Sequence, residues 1–181
     1  GQPKHYEIHG AFAYKKGHSV QDYYIRTWKG VSDQGLPLWK AYTYKGAGNK
    51  DVYVTDYEKY ISSGGDPSKL TETTTSDYND AVREFVGKSA IPDFIGGFGF
   101  DIQIQNFTVS TNFSYGLGGW GYDGVYADLM DSGSQIGAHN FHKDIRNFWR
   151  SDHPTNLPIL THDIEALKYA NSPSTRFLTS R

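Results

Sequence analysis

Residue types able to do chemistry are present in this chain but sparsely arranged. His139 and His142 stand at i, i+3, with His153 and His162-Asp163 downstream. Such a histidine pair on a helix can hold a metal, but here Phe141 lies between them and no acidic third ligand sits at motif spacing. Gly116-Leu-Gly118-Gly119-Trp-Gly121 is glycine-rich without the strand-to-helix setting of a dinucleotide fold, and reads as a strand leaving into a loop. No Gly-x-Ser-x-Gly elbow and no glycosidase-like carboxylate pair occurs. The expectation is therefore no catalytic residues, no metal and no cofactor. Aromatics are the better lead. Trp39, Trp120, Tyr122 and Trp149 fall near expected strand ends and loops, where a ring can stack on a sugar or peptide. They are the candidate substrate-binding residues. The same residue types serve equally for loop packing or for the aromatic girdle of a membrane barrel.

The clearest positioning element is Phe98–Tyr115. Phe98, Phe100, Ile102 and Ile104 alternate with hydrophilic residues, as do Phe107, Val109, Thr111, Phe113 and Tyr115 after a break at Gln105-Asn106. Side chains on a strand repeat direction every two residues, so each run has one oily face. A two-residue turn sets Ile104 against Phe107, Ile102 against Val109 and Phe100 against Thr111, with both oily sets on one side. Asn106 is expected to supply positive φ. Whether this face meets a protein core or lipid decides what the protein is. Asp101 is the only charge between Phe94 and Tyr122 and lies on the hydrophilic face, which permits a wet barrel lumen.

The 181 residues, net charge of −2 and absence of cysteine allow one domain with a core and no disulfides. They give no basis for a nucleic-acid partner. Fifteen per cent aromatics and 20 glycines fit strands and loops. Strands are expected at Tyr23–Trp28 and Leu38–Tyr44, with a turn at Ser32–Gly35 and a long polar loop over Gly46–Thr75. Spacing predicts short helices through Tyr78–Val86, through Phe141–Trp149 and around Ile164–Leu167. Beyond the hairpin, Gly116 to Arg181 shows little strand alternation and many turn residues. The chain opens at Gly1 without Met or signal peptide, which reads as a processed product or a piece of something larger.

From Gly87-Lys-Ser-Ala-Ile-Pro-Asp-Phe-Ile-Gly-Gly-Phe-Gly99 through Phe113-Ser-Tyr-Gly-Leu-Gly-Gly119, the chain resembles the late barrel region of SusC/RagA-type TonB-dependent outer-membrane transporters. Other blocks agree in order: Gly17-His-Ser-Val-Gln-Asp-Tyr-Tyr24 with Gly30-Val31 and Leu36-Pro-Leu-Trp39, then Thr74-Thr-Ser-Asp-Tyr-Asn-Asp-Ala81. His142-Lys-Asp-Ile145 with Trp149 and Ser172-Pro-Ser-Thr-Arg-Phe-Leu178 follow. Departures are Asn106 in place of the usual turn glycine and a reduced Asn156-Leu-Pro158.

The resemblance implies an all-β fold: antiparallel strands from part of a large transmembrane β-barrel, with long loops carrying short helices. Residues 1–181 would form one incomplete barrel segment, with 45–90 and 116–181 mainly extracellular loops and the Gln105-Asn106 turn in the periplasm. About four to six strands are expected, below the eight of the smallest closed barrels, so the rest of the barrel polypeptide becomes a required partner. The implied function is import of an oligosaccharide or peptide ligand across the outer membrane, with a SusD-like lipoprotein and the TonB complex as partners. The plug and TonB box are not among these residues. The competing expectation is a soluble β-rich carbohydrate-binding module, in which Phe100, Ile102, Ile104, Val109 and Phe113 are buried beneath a second sheet.

Overall fold

In a computed structural model the described residues are 6–131, 140–161 and 165–180. Their strands are β1 (Tyr6–His9), β2 (Phe12–Lys15), β3 (Asp22–Arg26), β4 (Trp28–Val31), β5 (Pro37–Lys45), β6 (Asp51–Val54), β7 (Thr71–Thr75), β8 (Arg83–Ser89), β9 (Phe94–Ile104), β10 (Phe107–Leu117), β11 (Trp120–Tyr122) and β12 (Leu178–Ser180). The helices are α1 (Tyr57–Ser62) and α2 (Gly124–Leu129), accompanied by short 3₁₀ turns. All ladder pairings are antiparallel. The fold is all-β, and its strands form separate sheets rather than a closed barrel.

β5 is the centre of one sheet. β7 pairs along Trp39–Thr43, while β4 and β6 pair with its two ends. Pro37, Trp39, Ala41 and Thr43 are buried and alternate with half-buried Leu38, Lys40, Tyr42 and Tyr44. Its large tyrosines therefore lie on the outer face, while alanine and threonine sit inside. The Ser32–Gly35 turn forms as expected, closed by Gly35 N–H donating to the Ser32 carbonyl. A second sheet runs in the order β1-β2-β3-β8. Tyr23 and Ile25 of β3 pack with Leu178, so the last strand closes back onto the early ones. Phe177 forms a second small core with Ala127 and Met130, at the end of α2.

Several expectations need correction. Gly46–Thr75 is structured, holding β6, α1 and β7. Its polarity misleads because the Thr-rich TETTT run is β-branched and pairs well on a sheet edge. The helix expected over Tyr78–Val86 is a turn followed by β8. Asp77 accepts the Asn79 N–H in an Asx turn, and Phe85 then pairs with Tyr24 on β3. Short apolar runs fit helix and strand spacing alike, and pairing decided this one. The Phe141–Trp149 helix contracts to a 3₁₀ turn, Lys143–Asn147, and another 3₁₀ turn covers Glu165–Tyr169. Ile164 lies outside the described residues. After Gly116 there are two short strands and α2. The strand count also exceeds the expected four to six, because many strands have only three to five residues.

Candidate functional site

β9 and β10 form an isolated ribbon with 11 residues in each arm. Ile104 pairs with Phe107, Ile102 with Val109, Phe100 with Thr111 and Phe98 with Phe113, the register the alternation implied. The positive φ falls on Gln105, at 54°, rather than on Asn106. The reason is the turn type: positive φ is required at the first central position, and Gln105 occupies it.

The register sorts the ribbon cleanly. Phe94, Phe98, Phe100, Ile102, Ile104, Phe107, Val109, Phe113, Tyr115 and Leu117 share one face with Gly96 and Thr111. Gly97, Gly99, Asp101, Gln103, Thr108, Ser110, Asn112, Ser114 and Gly116 share the other, with Ile95 at its end. Cross-strand rings meet on the oily face, Phe98 on Phe113 at 4.8 Å and Phe100 on Phe113 at 6.4 Å. Gly96 leaves room for the Tyr115 ring; a Cβ there would lie 2.5 Å from the Tyr115 hydroxyl oxygen.

Among the described residues no second layer covers this face. Phe100 is 47% exposed, Ile102 46%, Ile104 65%, Val109 56% and Phe113 48%. Isolated two-stranded ribbons are marginal in water, and a contiguous apolar face of this size marks a surface that something else covers. Eleven residues at roughly 3.4 Å each extend about 37 Å, and a tilt of about 45° brings that to about 26 Å. An apolar band about 25 Å tall is what an outer-membrane barrel presents to lipid. No helix among the described residues is long and apolar enough to cross a membrane, which says nothing of strands.

The four candidate aromatics are not gathered into one site. Trp39 is 0% exposed, enclosed edge-on between Trp28 at 5.8 Å and Tyr78 at 5.2 Å. Its indole is a core element with no free face for a ligand. Trp149 is half-buried and lies against the Ser32–Gly35 turn, so close that a Cβ on Gly35 would come within 2.7 Å of its ring. Trp120 and Tyr122 share β11. Tyr122 meets Phe177 edge-on at 6.2 Å, and burial pushes its phenol up to about 12. Trp120 carries the Lys88 ammonium 3.3 Å from its ring centroid, and the Tyr23 hydroxyl donates to its carbonyl.

His142 caps the Lys143–Asn147 turn, its Nδ1 accepting the Asp144 N–H, and its ring stands edge-on to Tyr126. Among the described residues no three His, Cys, Asp or Glu side chains converge on a metal position. His139, His162 and Asp163 lie outside the described residues. One half-buried cation was missed in the sequence. Arg176 lies over the rings of Trp28 and Phe177 and donates to the Ala170 carbonyl. Burial holds its guanidinium down at about 10. The Ser-Thr-Arg-Phe-Leu run marked this segment, but not that its arginine turns inward.

No family model and no curated protein matches the chain. Its all-β fold does have likenesses among solved structures. It is similar to a chain of the RagAB peptide transporter, with a TM-score of 0.59 and 17% identity, covering 97% of this chain and 16% of that one. It is likewise similar to a chain of the RagAB peptide importer in the open-open state, with a TM-score of 0.57, 17% identity, and 99% and 16% coverage. At this identity the likeness is one of fold. The present chain spans about one-sixth of the length of these structures.

Proposed function

We propose that this chain is a barrel segment of an outer-membrane TonB-dependent transporter of the SusC/RagA type. The observation that carries the reading is the β9–β10 ribbon, bare on an apolar face and polar on the other, at spanning length. Lipid covers the first face and the lumen wets the second. Both outer edges of the ribbon then pair with neighbouring strands supplied by the rest of the barrel polypeptide, since unpaired backbone groups are not tolerated in hydrocarbon. The Gln105 turn faces the periplasm, and β5–β7, α1 and the residues after Gly116 lie on the extracellular side. The ordered sequence blocks and the fold likeness to peptide-transporter chains support the same assignment.

In this reading the protein imports peptide or glycan ligands with a SusD-like surface lipoprotein as partner, driven through the TonB complex. It works by binding and gating, without making or breaking bonds. A soluble sugar-binding module needs the ribbon's oily face under a second layer, and that face is bare. The test is detergent dependence. The purified chain is expected to stay dispersed and β-rich only in detergent micelles or bilayers, by light scattering and circular dichroism. A folded monomer in plain buffer would sink the assignment.

A further inference from the structure

The ribbon's ladder ends at Phe94 and Leu117, and just beyond it the Asp93 carboxylate lies against Gly118. There an open pocket of about 240 Å³ is lined by His18 from the turn before β3, Asp22 at its start, Phe85 and Lys88 from β8, and Trp120. Sites for drug-sized ligands run to about 300–1,000 Å³, so this one suits a smaller group, of the size of one or two small residues. It lies at the non-turn end of the ribbon.

Two of its polar groups are already engaged. The His18 ring stacks on Phe85 at 3.7 Å, and its Nδ1 lies 3.3 Å from Asp22 Oδ2, which also accepts the Ser19 N–H. Lys88 and Asp93 are different: neither takes part in an ion pair among the described residues. Trp120 holds the Lys88 ammonium over its ring, an arrangement that leaves the three N–H donors able to turn to an anion. The cavity thus offers one positioned cation, one carboxylate and an aromatic wall.

We infer that this pocket binds a short zwitterionic peptide, its terminal carboxylate on Lys88 and its ammonium on Asp93. The inference rests on the transporter reading and gives that transporter a ligand subsite within these residues. Removing one charge-assisted hydrogen bond from such a site weakens binding by about tenfold or more.

The test titrates alanyl-alanine, its C-terminal amide and its N-acetyl form into the full chain in detergent, read by Trp fluorescence. Amidation should weaken binding by about tenfold in the native chain but not in Lys88→Gln. Acetylation should do so in the native chain but not in Asp93→Asn. Circular dichroism and vesicle insertion on the same samples separate failure of the pocket from failure of the barrel reading. Equal binding of free and amidated peptide overturns the inference. So does the absence of saturable dipeptide binding in a chain that inserts normally, or binding of glucuronate in place of the peptide.

Discussion

Replacing Phe100 with Arg is expected to destabilise the bilayer-inserted barrel, this chain together with the rest of the barrel polypeptide, by about 2–4 kcal/mol, the range for a cation on the lipid face near the midplane of a barrel. Phe100 sits near the middle of β9, opposite Thr111 and in ring contact with Phe113. Ser110→Arg introduces the same side chain one residue pair away, but on the polar face, directly opposite Asp101. There the guanidinium stays in the wet lumen and meets a carboxylate, so the expected change is within about 0.5 kcal/mol. Urea titration of the two variants in lipid vesicles measures both. If the ribbon is a water-exposed arm, the two substitutions should behave alike, and Phe100→Arg should improve solubility.

Trp39→Ala is expected to have the other large effect, a loss of about 3–5 kcal/mol typical of a fully buried large aromatic. Trp39 has no exposed surface and sits between Trp28 and Tyr78 on the buried side of β5. Its removal leaves a cavity at the junction of β4, β5 and β7. A binding defect in this variant would follow from impaired structure. The check is a lowered urea midpoint with unchanged denaturant slope, compared with Trp39→Phe, which fills part of the space and should recover part of the stability. A Trp39→Ala chain as stable as the native one, yet defective in binding, would restore the indole as a ligand-binding group.

The ribbon was readable down to its residue pairing because three local constraints agree: alternation in both arms, a two-residue break, and a register in which a slip of one residue mixes the faces. β5 was readable from its own alternation. The burial of Trp39 was not, since a tryptophan beside a turn has the same local pattern whether a neighbouring strand covers it or not. β8 was misread because Ala81, Val82, Phe85 and Val86 satisfy helical spacing, and only pairing with β3 makes a strand of this segment. Polarity hid β7, where threonines pair at a sheet edge. The Lys88–Asp93 pocket left no local trace. Its walls come from β3, β8 and the non-turn end of the ribbon, brought together by tertiary pairing alone.

The chain has no cysteine, so single cysteines can be placed along residues 98–104 and 107–113 without background. Reconstituted in lipid vesicles with the rest of the barrel polypeptide and spin-labelled, Phe98, Phe100, Ile102, Val109 and Phe113 positions should be accessible to oxygen dissolved in the hydrocarbon. Gly99, Asp101, Gln103, Ser110 and Asn112 positions should be accessible to a water-soluble nickel complex, giving two period-two profiles in opposite phase. Uniform water accessibility along both arms would contradict the membrane-spanning ribbon.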